Sequence, residues 1–176
     1  MEKLNVIIAH YKKWKKDNPD TWIIYCKSLD NLEDVIRYSA LSENHLGKRN
    51  NHQRRLKKND LRVFAENLLE KKEEIKSAKT FDELLNIVET CKVNGIGELA
   101  CYDTANRIGT KLNIVPVMIY LHAGARIGIE KILNRKIKEK AVTRRILPNP
   151  FHDKNLTDAE IEDILCIYKD KFDSIT

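Results

Sequence analysis

Apolar residues recur every three or four positions along most of the chain, which is the spacing of one face of an α-helix. Leu4, Ile7, Ile8, Tyr11 and Trp14 predict an amphipathic helix over residues 2–16. Three more helices are predicted over 22–25 with Asp20 or Thr21 as cap, over 31–41 with Asp30 as cap, and over 61–75 with Asn59 or Asp60 as cap. Strand-like alternation is scarce, so the pattern predicts an all-α fold.

Residues 80–112 predict two helices joined by a glycine-bracketed turn. Thr80 and Glu83 form a capping-box pattern ahead of the first helix, and Gly95-Ile96-Gly97 precedes the second. Glycine permits positive φ angles and close backbone approach. Gly97 stands at the entrance of a helix, where free N–H groups and the helix dipole favour an anion such as a nucleic-acid phosphate.

This stretch resembles the helix-hairpin-helix motif of DNA-binding and DNA-repair proteins. The positions that carry the resemblance are Val93, Gly95, Ile96, Gly97 and Cys101. The resemblance implies that amides of the turn grip a phosphate and that carbonyl groups of the hairpin hold a monovalent cation; no other cofactor is expected. The alternative is a tight turn whose glycines serve only helix packing.

The glycosylase branch of that superfamily offers a further comparison, since some members use a lysine two residues after the second glycine and an aspartate about twenty residues past the hairpin. Here Leu99 stands at the lysine position, and Met118 follows Val115-Pro116-Val117 at the aspartate position. Neither side chain can form a Schiff base or activate a nucleophile. The resemblance therefore implies a glycosylase-like scaffold without the usual catalytic residues.

Other residues could supply chemistry in their place. Asp103 and His122 are candidates for a general acid/base pair near the hairpin. Alternatively, Asp103 pairs with Arg107 one helical turn away, and His122 is a hydrogen-bonded core residue.

Beyond the hairpin, Pro116 is predicted to open a helix, and Val117–Leu121 to be buried. Ala123, Gly124, Ala125 and Gly128 predict a small-residue surface on which another element can pack closely. Thr157 and Glu160 form a second capping-box pattern, ahead of a final helix over 159–172.

The charge pattern bears on the kind of partner that the chain binds. The chain of 176 residues carries a formal net charge of +6. Six Lys/Arg and no acid lie between Lys48 and Lys58, and seven Lys/Arg with one acid lie between Lys131 and Arg145. Such blocks fit a polyanion, although a solvated basic loop has the same composition.

Together these features predict a set of nucleic-acid-binding residues: Gly95, Ile96, Gly97, Lys92, Arg107, Lys111, Lys48, Arg49, His52, Gln53, Arg54 and Arg55.

Length and composition bound the remaining possibilities. We expect one α-helical domain over residues 1–176. The N-terminus does not resemble a secretory signal, and four cysteines stand singly, so we expect a cytoplasmic protein with reduced thiols. No apolar run approaches the length of a membrane span, and His45 and His52 lack zinc-ligand spacing. The sequence therefore favours sequence-nonspecific binding of duplex DNA; the alternatives are a glycosylase-like DNA-modifying enzyme with atypical residues and a protein-interaction module.

Overall fold

Helices make up most of the chain in a computed structural model, which describes residues 2–174 apart from the side chains of His52 and Ser174. The helices of this part are α1 (Glu2–Asp17), α2 (Thr21–Ser28), α3 (Leu32–Leu41), α4 (Lys58–Glu70), α5 (Lys72–Ser77), α6 (Phe81–Thr90), α7 (Glu98–Leu112), α8 (Ala123–Leu133) and α9 (Asp158–Ile167). Two short strands, β1 (Ile119–Tyr120) and β2 (Ala141–Val142), pair antiparallel. Short 3-10 turns lie at Asn51–Gln53, Arg144–Ile146 and Lys169–Ser174. The predicted all-α class is confirmed.

Two compact units divide the described chain. The helical unit is Asp20–Val115 and contains α2 to α7; the mixed unit consists of the residues before Asp20 and those from Pro116 onward. One domain over residues 1–176 stays a prediction.

In the helical unit, the side chains that keep helical spacing form the core. Val35, Leu61, Phe64, Leu84 and Ile108 are all buried. The hydrophobic effect of burying such side chains stabilises these helices more than their intrinsic propensity does.

In this unit the helix ends differ from the predictions most clearly at α3 and α4. The cap of α3 is Asn31 and not Asp30, because the Asn31 side chain accepts the Asp34 N–H at 2.8 Å. The helix predicted over 61–75 starts at Lys58 without a side-chain cap, and it is interrupted at Lys71, which separates α4 from α5.

The capping-box prediction at α6 holds in one half only. Thr80 accepts the Glu83 N–H at 3.2 Å. The Glu83 carboxylate accepts the N–H of Lys79 at 2.7 Å, one residue earlier than a capping box requires.

In the mixed unit, the prediction that a helix opens at Pro116 is wrong. The chain is not helical there, since residues 117 and 118 form a bend, Ile119 pairs with Val142 and Tyr120 with Ala141, and α8 begins only after His122. Val117, predicted to be buried, has 69% of its surface exposed, whereas Ile119 and Leu121 are buried.

Small residues on α8 provide the close approach that the sequence predicts. A methyl group on Gly128 would lie 2.1 Å from the backbone oxygen of Leu165, and one on Gly124 would lie 2.3 Å from Sγ of Cys166. Both contacts are on α9, so these glycines allow α8 and α9 to pack backbone against backbone.

The capping box of α9 is complete, with Thr157 and Glu160 bonded reciprocally. The helix ends at Ile167, before the predicted limit of 172, but Ile161, Leu165, Tyr168 and Phe172 are buried as the spacing predicts. Among the described residues, no helix combines the length and apolar character that a bilayer crossing needs.

We predict that Gly128→Ala destabilises the protein. The added methyl group meets backbone that cannot rotate away, and overpacking of this kind costs about 1–3 kcal/mol, more than the helix propensity gained. Urea unfolding measures the change, with Ile127→Ala at an exposed neighbouring position of α8 as the control. A Gly128→Ala protein as stable as the wild type would contradict the packing of α8 on α9.

Candidate nucleic-acid interface

The turn between α6 and α7 is fixed by one glycine and one buried side chain. Gly95 has φ +95°, a conformation that side chains with a Cβ rarely adopt. The next residue, Ile96, is buried, and its N–H donates to the Val93 carbonyl at 3.0 Å. From α4, the Asn67 amide donates to the Cys91 carbonyl at 3.0 Å. The turn is therefore held from inside while its glycines face outward.

The entrance of α7 is open. Gly97 is the N-cap residue, no side chain caps the helix, and no atom lies within 4 Å of the place where a Gly97 Cβ would stand. The first N–H groups of a helix have no intrahelical acceptor, so this entrance presents donors with a partial positive charge. Glu98 is exposed in the first turn and opposes an anion.

A carboxylate from α4 borders the turn. A methyl group on Gly95 would lie 2.9 Å from Oδ2 of Asp60. Asp60 lies in the first turn of α4, and the exposed Lys57 and Lys58 precede it by three and two positions. The neighbour that this helix gives the turn is thus acidic.

The basic segment, residues 48–58, is anchored to the first half of α7. The Gln53 amide Nε2 donates a short hydrogen bond to Oδ2 of Asp103. At its far end the segment continues into Asp60, beside Gly95. Arg49 closes the loop internally, since its guanidinium donates to the Leu56 carbonyl at 2.9 Å. The exposed cations that result are Lys48, Arg54, Arg55, Lys57 and Lys58.

Two predicted binding residues have structural roles. Arg107 is only 4% exposed, and its guanidinium donates to the Ser39 carbonyl at 3.3 Å and to the Ser42 hydroxyl at 3.0 Å. Lys111 is half-buried and donates a short hydrogen bond to the carbonyl of Leu29, just after α2. As a correction to the predicted interface, we therefore leave both residues out of it.

Of the other predicted residues, Lys92 is exposed directly before the turn, whereas Gln53 is only 2% exposed and faces α7. The side chain of His52 lies outside the described part of the chain. The hairpin and the basic segment are therefore brought together within one unit, while the second basic block, 131–145, belongs to the mixed unit.

The candidate catalytic residues are differently placed. The Asp103 carboxylate accepts from Gln53 and lies 3.9 Å from the Arg107 guanidinium, which is the i, i+4 pair that the sequence suggested as the alternative. His122 is the half-buried N-cap residue of α8 in the mixed unit. Asp103 thus has a structural explanation that needs no chemistry.

Nearby thiols are also structural. Cys101, the small residue of the hairpin pattern, is fully buried, and burial raises the pKa of its thiol to about 11. Burial likewise raises the pKa of Cys91. Both thiols are neutral at pH 7 and pack as small apolar groups.

Two carbonyl groups of the turn take part in hydrogen bonds. The carbonyls of Cys91 and Val93 already accept hydrogen bonds from Asn67 and Ile96. Within the described residues, no group of three His, Cys, Asp or Glu side chains could hold a metal ion. The cation stays an implication of the resemblance, and the interface is built below without it.

Several residues that shape the interface were not predicted from the sequence. Asp60 was expected only as a helix cap, yet its carboxylate lies beside Gly95. Asn67 and Ser42 hold the turn and Arg107 through tertiary hydrogen bonds. No local signal identifies such partners, because they lie some 25 to 65 positions from the residues that they contact.

No family model matches the sequence, and comparisons with curated proteins and with solved structures also give no match. The resemblance to the helix-hairpin-helix motif therefore stays a prediction from the residues named above.

We predict that Gly95→Ala destabilises the helical unit by about 1–3 kcal/mol, since alanine is strained at this positive φ and its methyl group would meet the Asp60 carboxylate. Gly97→Ala is the matched control two positions away, because its φ is −89° and its Cβ would enter open space. Urea unfolding of both variants measures the difference. Equal stabilities would show that Gly95 does not hold the conformation described here.

Proposed function

We propose that this protein binds the backbone of duplex DNA without strong sequence preference, through the entrance of α7 and the basic segment beside it. The observation that carries the proposal is the attachment of residues 48–58 to the first half of α7. This attachment holds a segment with exposed cations on the helix whose N-terminus is uncapped.

The entrance of α7 would supply the directional contacts. A phosphate oxygen placed at Gly97 can accept from N–H groups of the first turn, which have no intrahelical acceptor, and no atom beyond the chain neighbours of Gly97 lies within 4 Å of its Cβ position. Helix α7 has 15 residues, so its aligned peptide dipoles give its N-terminus a partial positive charge.

The surrounding cations would supply most of the affinity. Lys48, Arg54, Arg55, Lys57 and Lys58 are exposed on the segment, and Lys92 is exposed before the turn. Asp60 and Glu98 oppose them, and Glu43 lies 4.0 Å from Lys58, but the six cations outnumber these three acids. Contacts of this kind fall on phosphates, which carry no sequence information, so binding should be sequence-tolerant.

Binding is favoured over base excision by the residue at the position where a glycosylase of the resembled kind has its nucleophile. Leu99 stands at the position where a glycosylase of the resembled kind has lysine, and it is 37% exposed without any ionisable group. The base-excision alternative therefore gains no support from the interface.

The first test is a salt titration of binding. We expect a labelled 20-base-pair duplex of arbitrary sequence to bind with a Kd of about 1–100 µM near physiological salt. With three or four phosphate contacts, log K should fall with log salt at a slope of about −3, since each contact contributes about −0.9. Fluorescence anisotropy measures both quantities. Absence of binding, or affinity that ignores salt, would overturn the proposal in favour of a protein-interaction module; a preference for single-stranded or double-stranded RNA would overturn the choice of DNA.

The second test separates binding from stability. In Gly97→Asp, the new carboxylate should accept the N–H groups meant for the phosphate, which stabilises the helix by a few tenths of a kcal/mol over glycine. The same carboxylate repels DNA, so we expect affinity to fall about tenfold, or about 1.4 kcal/mol. On the same samples, the DNA affinity measured by anisotropy should therefore fall while the free energy of unfolding measured in urea rises.

The matched control for this variant is Thr80→Asp, which makes the same charge change at the N-cap of α6. The ten residues of α6 place that cap about 15 Å from the end of the helix that leads into the turn. Its DNA affinity should change less than twofold, about 0.4 kcal/mol. Equal losses in the two variants would show that only net charge matters and that the α7 entrance is not the binding site.

A further inference from the structure

The basic segment carries one inward-facing polar side chain. Among the described side chains of residues 48–58, only Gln53 is buried, with 2% of its surface exposed. Its Nε2 donates to the Asp103 carboxylate, while its Oε1 is buried without a hydrogen-bond partner within the described structure. This amide group joins the segment to α7, and the Asn50 N–H, which donates to the Ser42 carbonyl at 2.9 Å, joins its beginning to the end of α3.

This attachment belongs to a longer chain of polar contacts. Oδ2 of Asp103 lies 3.9 Å from the guanidinium of Arg107, one turn further along α7. Arg107 in turn donates to Ser39 and Ser42 at the end of α3. The segment is thus connected through Gln53, Asp103 and Arg107 to the interior of the helical unit.

Glutamine at this position combines one hydrogen bond to a carboxylate with one buried oxygen that has no donor. Its buried Oε1 lacks a donor, which costs free energy, and a methionine of similar length would fill the space without an unsatisfied oxygen. What glutamine supplies and methionine cannot is a directional bond to a carboxylate that α7 itself holds in place.

We propose that Gln53 and Asp103 are positioning residues for DNA binding. Their hydrogen bond fixes the segment so that the next two residues, the exposed Arg54 and Arg55, stand ready for phosphates beside the α7 entrance. This inference rests on the proposed function, and it assigns Asp103 a role in binding instead of catalysis. Without the bond, the arginines would have to be ordered at the moment of binding, which reduces affinity.

Hydrogen exchange tests the anchoring without any DNA. In wild-type protein the amides of Gln53, Arg54 and Leu56 donate to backbone carbonyls of the segment. In Gln53→Met these amides should exchange at least about tenfold faster, while those of α6 keep their rates and so report that the unit is folded. Unchanged exchange in the segment would overturn the inference even if wild-type protein binds DNA.

A double-mutant cycle tests the link to the arginines. We expect Gln53→Met to weaken DNA binding about fivefold in the wild-type background, and less than about twofold when Arg54→Gln and Arg55→Gln are already present. Such non-additivity is what a positioning role requires and a general loss of structure would not produce. Equal losses in both backgrounds would contradict the proposal.

Failure of the proposed function and failure of the positioning role give different experimental results. A wild-type protein that binds no DNA overturns the proposed function and the role of the arginines together, whereas normal wild-type binding with an additive cycle overturns only the positioning role. If Gln53→Met does not fold, the wild-type exchange rates decide. The anchor is supported if the segment amides exchange at the same rate as those around Asp103. It is contradicted if they exchange as fast as the amides of an unstructured peptide.

Discussion

The packing of α3 against α7 in the helical unit depends on one buried charge, the guanidinium of Arg107. Arg107 lies on α7 with 4% of its surface exposed, and a guanidinium can occupy such a place only if carbonyl, hydroxyl and carboxylate groups surround it. The end of α3 supplies two of these groups at Ser39 and Ser42, and Asp103 supplies the counter-charge. Because removing one partner would leave a charge buried and uncompensated, the relative placement of α3 and α7 is tightly constrained.

That constraint extends outward to the surface. Asp103 is held by Arg107 on one side and takes the Gln53 amide on the other, so the basic segment is located by the same buried charge. Two turns of helix earlier, α7 begins at an uncapped glycine with open space in front of it. One helix thus organises both the interior of the unit and the surface that we propose contacts DNA. The Asp60 carboxylate beside Gly95 limits the positive potential of that surface, which suits weak, reversible binding more than tight binding.

Sequence patterns predicted the elements better than their contacts. The spacing of Phe81 and Leu84 identified α6, and the Gly95-Ile96-Gly97 triplet located the start of α7, because both signals are local. Pro116 was misread as a helix start, since the pairing of Ile119 with Val142 depends on a strand some twenty residues away. For the same reason Arg107 and Lys111 were assigned to the surface. Basic side chains on a helix are usually solvated, and only tertiary partners such as Ser42 and the Leu29 carbonyl show that these two are not.

We propose that backbone amides at the entrance of α7 meet a DNA phosphate. Nitrogen–proton correlation spectra of labelled protein, recorded during a titration with a short DNA duplex, observe these amides directly. We expect the largest shifts, downfield in the proton dimension as hydrogen bonds form, at Gly97, Glu98 and Leu99, with smaller shifts at Arg54 and Arg55. If the amide resonances of Gly97, Glu98 and Leu99 stay unchanged while those of other residues shift, the α7 entrance is not the phosphate site.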